Sequence, residues 1–179
     1  MKTLYTLLLL CTVTTVFAQK QQFPDIPYNW YRGQISPYYK LLRIRDKSAI
    51  IITTGELPDY HHLGFKYAVF LRDGSVRMFT ENDVDTFTEI AVSEGQLAML
   101  KNFLLETDWL EIGKYNLNGK PGETIIFLDG TTKYISIRQG DKELELSSRN
   151  TLSNIELKVP GWEDRVKLLE LISNFNNFI

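Results

Sequence analysis

Phe65-Lys66-Tyr67-Ala68-Val69-Phe70-Leu71, then Arg72-Asp73-Gly74, then Ser75-Val76-Arg77-Met78-Phe79-Thr80 is the stretch on which the fold turns. Two runs rich in aromatic and branched residues flank an Asp-Gly pair. Glycine tolerates the positive φ of a tight turn, so the stretch predicts a β-hairpin. Asp129-Gly130, between Thr124–Leu128 and Lys133–Arg138, predicts a second one.

Working outward, Ala49-Ile50-Ile51-Ile52-Thr53-Thr54 is a continuous apolar, β-branched run, which predicts a strand buried on both faces. Before it, Leu42 and Ile44 alternate with Arg43 and Arg45 as in a strand, and Asp46-Lys47-Ser48 reads as a turn. Gly55 to Gly64 reads as a loop, and the acidic stretch from Glu81 to Glu89 as loop or edge. Ser93-Glu94-Gly95-Gln96 is a capping box. It opens a helix with Leu97, Leu100 and Leu104 on one face and Phe103 beside them, ending near Thr107-Asp108. Residues 111–122 read as a turn-rich connection. Glu143-Leu144-Glu145-Leu146 alternates as a strand does, and Ile155, Leu157 and Val159 alternate with Glu156 and Lys158. Pro160-Gly161 breaks the chain before a terminal helix striped by Trp162, Val166, Leu169 and Ile172 and widened by Leu168 and Phe175.

The pattern predicts an α+β fold: a mostly antiparallel sheet built from Asp-Gly hairpins, with two helices packed on one face. The alternation of Arg, Lys and Glu in most strands predicts a polar outer face.

The first eighteen residues read differently from the rest. Lys2 is their only charge, Leu7-Leu8-Leu9-Leu10 centres an apolar stretch, and Val16-Phe17-Ala18 precedes Gln19-Lys20. A basic start, a short apolar run and a small residue at the cut predict an export signal over 1–18, and with it a periplasmic or extracellular location. Cys11, the one cysteine, falls inside that signal. Lipid attachment there is disfavoured, because Leu10 is not small and the leader would be only ten residues long. The mature chain then has no thiol, and so no disulfide, thiolate nucleophile or Cys-ligated metal. No other run is long enough to span a membrane. Residues 19–38 form an arm punctuated by Pro24, Pro27, Gly33 and Pro37, and residues 39–179 form a single domain.

The composition narrows function by exclusion. The 179 residues are 44% apolar and 23% charged, which excludes collagen-like, low-complexity and wholly disordered chains. The formal net charge of -2 offers no basic surplus for nucleic acid, and none is expected as a partner. The cluster Lys40, Arg43, Arg45 and Lys47 is short and reads as a solvated strand face. No Walker loop and no Gly-x-Gly-x-x-Gly cradle is present, so no cofactor is expected.

Three groups of residues remain as candidates. Asp59, His61 and His62 could offer a metal carboxylate and imidazole ligands, but adjacent residues rarely aim at one ion, and a solvated loop is the preferred reading. Glu81, Asp83 and Asp85 resemble the start of a calcium loop. Thr86 stands where an EF-hand needs Gly and Val92 where it needs Glu, which excludes that motif. Tyr28, Trp30, Tyr31, Tyr38 and Tyr39 are the most suggestive. They could make a platform for sugar rings or a protein partner, although pinning the arm to the sheet or a helix is the simpler role. With only two histidines and no Gly-x-Ser-x-Gly elbow, nucleophilic catalysis has no visible apparatus. The sequence therefore favours an exported, soluble, non-catalytic binding module. The alternative is a small carboxylate-dependent hydrolase acting on glycans or envelope components.

Overall fold

The structure, a computed structural model, describes residues 42–57, 63–83, 86–117, 131–149 and 151–179. They form an α+β fold of a six-stranded antiparallel sheet and four short helices. The strands are β1 (Ile50–Leu57), β2 (Leu63–Phe70), β3 (Val76–Asp83), β4 (Thr86–Ile90), β5 (Thr132–Gln139) and β6 (Lys142–Arg149). Their order in the sheet is β4-β3-β2-β1-β5-β6. The helices are α1 (Glu94–Glu106), α2 (Trp109–Ile112), α3 (Thr151–Glu156) and α4 (Trp162–Asn176).

The hairpin at residues 71–75 forms as its sequence dictates. Gly74 takes φ +86°, and the Asp73 carboxylate accepts from the Ser75 amide and hydroxyl. The register then sets Phe70 opposite Val76 and Ala68 opposite Met78. Lys133–Arg138 lies in a hairpin with β6. Both edges of β5 are occupied, by β1 and by β6, and Gln139 pairs with Lys142 across Gly140-Asp141. Gly140 has φ +62°, the conformation that a two-residue hairpin loop demands. Thr124–Leu128 and Asp129-Gly130 lie outside the described residues.

One face of the sheet carries the helices. Ile50, Ile52, Ala68, Phe70, Met78, Ile135, Ile137, Leu144 and Leu146 meet Leu100, Phe103 and Leu104 of α1 and Leu168, Ile172 and Phe175 of α4. Phe103 is the hub, with Trp109 at 5.9 Å and Phe175 at 5.4 Å between ring centroids. The Ser93 capping box is present, its hydroxyl accepting from the Gln96 amide while Gln96 reaches back to the Ser93 amide. On α4 the buried residues are Arg165, Leu168, Ile172 and Phe175. Trp162, Val166 and Leu169 are half-buried, so the apolar stripe is rotated about one position from the predicted one. A fully buried Leu, Ile or Phe contributes about 1.5–3 kcal/mol. Three of them outweigh the marginal intrinsic stability of a 15-residue helix.

Two predicted strands are not strands. Residues 42–49 run through turns, and Arg43 has φ +56°, although Leu42 and Ile44 are buried as their spacing implied. The run Ile155-Glu156-Leu157-Lys158-Val159 closes a helix. Val159 donates to the Asn154 carbonyl and Lys158 to the Ile155 carbonyl, with Lys158 itself at φ +49°. That pair of bonds is a Schellman stop. Ile155 and Val159 stand four apart, so the alternation that suggests a strand suits a helical turn equally.

Candidate functional site

The far face of the sheet, turned away from the helices, is not the polar surface expected. Ile51, Tyr67 and Val69 are fully buried there, with Leu42, Ile44, Phe65, Phe79 and Tyr134 around them. Four rings run across it from β5 to β4. Tyr134 meets Phe65 edge-on at 5.6 Å, Phe65 lies 6.4 Å from Tyr67, and Tyr67 meets Phe87 edge-on at 5.4 Å. Edge-to-face contacts of this kind suit the ring quadrupole. The row needs the glycine at position 55. A Cβ there would stand 2.4 Å from Phe65 Cδ1, and the β1–β2 register shifts at that point. Within the row Tyr67 also makes a polar contact, its hydroxyl donating to the Glu81 carboxylate at 2.9 Å.

In the middle of this face Thr53 and Ser136 sit opposite each other across β1 and β5. Their exposures are 0% and 1%, and among the described residues the Thr53 hydroxyl has no hydrogen-bond partner, while the Ser136 hydroxyl lies beside the Tyr134 phenol. Burying an unpaired hydroxyl costs about 1–3 kcal/mol. Thr53→Val keeps the shape and removes the group, so it is expected to raise the unfolding free energy by about 1 kcal/mol in a denaturant titration. A decrease would mean that the Thr53 hydroxyl is bonded in solution.

Three ion pairs join neighbouring strands among the described residues: Arg77–Glu89, Lys133–Glu56 and Arg138–Glu143. Arg77 grips Glu89 through two 2.7 Å contacts, which hold the Glu89 carboxyl below its usual range. Arg138 pairs with Glu143 and also donates to the Tyr134 hydroxyl at 3.3 Å. Burial pushes the Tyr134 phenol up to about 12 and the Glu143 carboxyl upward, with Arg138 acting against both. A glycosidase needs two carboxylates within about 10 Å across one cleft. The largely buried Glu81 and Glu143 stand on β3 and β6 with three strands between them. At about 4.8 Å per strand they are about 19 Å apart, so these two do not make such a pair.

β4 is the opposite kind of surface. It lies at one end of the sheet, bonded to β3 alone among the described residues. Thr86, Thr88 and Glu89 are exposed, and Phe87 and Ile90 are half-buried. Its single charge, Glu89, is already held by Arg77. The outer rim of β4 is therefore a row of backbone donors and acceptors with little charge to guard it. The sequence marked this stretch only as loop or edge, although Thr-Phe-Thr-Glu-Ile carries the β-branched alternation of a short strand.

Of the residues singled out from sequence, Tyr28, Trp30, Tyr31, Tyr38 and Tyr39 lie outside the described residues, as do Asp59, His61 and His62. Among the described residues no group of three or more His, Cys, Asp or Glu could hold a metal ion. Glu81 belongs to β3 and turns to Tyr67, and the Asn82 amide donates to Thr88 at 2.6 Å, so this part of the acidic stretch is strand and not a coiled loop. No described helix is long and apolar enough to cross a membrane. No family model matches this chain, and no curated protein is significantly similar to it.

Proposed function

We propose that this protein is an exported, non-catalytic interaction module of the cell envelope or extracellular space, and that it engages its partner by accepting an added strand along β4. The observation that carries the reading is the nearly uncharged rim of Thr86–Ile90, a strand that among the described residues pairs with β3 alone. An extended segment laid on such an edge gains main-chain hydrogen bonds, and its alternate side chains meet the flanking pockets. Phe87 offers one half-buried ring beside that edge. The leader-like residues 1–18 and the absence of any cysteine after Cys11 support the location. The aromatic arm, residues 19–38, is the second contact in this reading, through Trp30 and Tyr31.

A photo-crosslinking residue at position 88, illuminated in the producing cells, is expected to give a discrete higher-mass adduct. The same residue at position 157, where Leu157 is 61% exposed just past the end of α3, is expected to give none. Equal labelling at both positions, or no adduct at 88, would remove β4 as the docking edge.

A further inference from the structure

Resting on the reading of β4 as a docking edge, we infer that one occupant of that edge is a second copy of this chain, joined β4 to β4 about a two-fold axis through Thr88. The register carries the argument. An antiparallel pair centred on Thr88 sets Thr88 against the partner's Thr88, Phe87 against the partner's Glu89 and Thr86 against the partner's Ile90. Opposed residues then share a face, and the helix layers of both copies lie on one side of a continuous twelve-stranded sheet. No like charges stand opposite each other, because the only ionised residue of the strand meets a ring. Each Glu89 carboxylate brings its own bidentate Arg77, so it enters the contact already neutralised. A central Thr–Thr pair is a favourable cross-strand contact. β6 at the other end of the sheet carries Lys142, Glu143, Glu145 and Arg149, charged side chains of the kind that guard an edge strand. β4, with one charge already held by Arg77, is the less guarded of the two ends. Five residues make a small contact, so the association is reversible and rises with concentration.

The chain supplies its own test, because Cys11 is its only cysteine. In the full-length chain carrying Cys11→Ser, Thr88→Cys places two thiols directly opposite each other, about 5 Å between Cα atoms, within disulfide reach. Thr86→Cys places its two thiols four residues out of step, about 13 Å apart and beyond reach. Under mild oxidation the first variant is expected to form a disulfide-linked dimer and the second to remain uncrosslinked, both with the circular dichroism and melting curve of the parent. Thr88→Lys is expected to abolish the concentration-dependent rise in mass seen by sedimentation. Crosslinking of both cysteine variants would indicate random collision and overturn the inference. So would crosslinking of neither. In that last case an adduct at position 88 in cells, of a mass other than twice the chain, keeps β4 as a docking edge for a different protein, whereas no adduct removes both readings together.

Discussion

Arg165→Ala lowers the unfolding free energy by about 3–4 kcal/mol, on the scale of removing one member of a buried charged network. Arg165 stands in the first turn of α4 at 3% exposure, and among the described residues no carboxylate pairs with it. Burial pulls its guanidinium below its usual pKa. A cation near a helix N-terminus also opposes the helix dipole. It is tolerated because its donors close three gaps at once: the Ser148 hydroxyl on β6 at 3.2 Å, the Pro160 carbonyl at 2.9 Å and the Val159 carbonyl at 3.4 Å. The planar fork ties the helix, the outer strand and the turn between α3 and α4 into one unit. Alanine removes those bonds and leaves a cavity. Arg165→Met refills the space without the donors and recovers part of the loss, while Arg165→Lys, a point charge, recovers little. The measurement is a guanidinium titration with the m-value held in view. A loss under about 1 kcal/mol for the alanine variant would show that the bonds are not made in solution.

Gly55→Val has an effect of similar size on the opposite face, about 3 kcal/mol of destabilisation. The added Cβ would meet Phe65 Cδ1 at 2.4 Å and Cε1 at 2.7 Å. Phe65 is 6% exposed and packed edge-on against Tyr134, so the ring has little room to retreat. The diagnostic is coupling. In the double variant Gly55→Val, Phe65→Ala the loss should fall well short of the sum of the two single losses, because each change relieves the other. Additive losses would mean that the ring and the glycine are not in contact.

Local signals in the sequence translated well where one short segment decides the outcome. The Asp73-Gly74 turn, the Ser93–Gln96 capping box and the strand at Ile50–Thr54 all formed, because each is set by backbone geometry or by an unbroken apolar run. The covered second face was legible in part. A run apolar on both faces at β1 already requires cover on both, and the polar expectation came from strands nearer the edges, where Arg77, Glu143 and Glu145 do alternate outward. What could not be read is what depends on distant pairing. Gly140-Asp141 is a hairpin signal in its own right, yet the pairing of β5 with β1, far away in the chain, has no local signal. The Thr53–Ser136 pair and the ring row from Tyr134 to Phe87 exist only once the strand order is fixed. As for the candidate site, the stretch containing β4 was visible only as loop or edge, and its neutralised charge depends on Arg77 from the neighbouring strand.

The position of β1 bears on the order in which the molecule assembles. Four strands, β1 to β4, are consecutive neighbours and can zip together locally within microseconds to milliseconds. The second edge of β1 stays bare until Ile52 finds Ile137, a closure spanning about 85 residues whose chain-entropy penalty falls before any contact offsets it. During synthesis a strand whose Ile50, Ile51 and Ile52 end fully buried therefore waits, half-paired, for a section of chain made much later. That interval is when a holdase would bind and when premature coalescence of unfinished chains would begin.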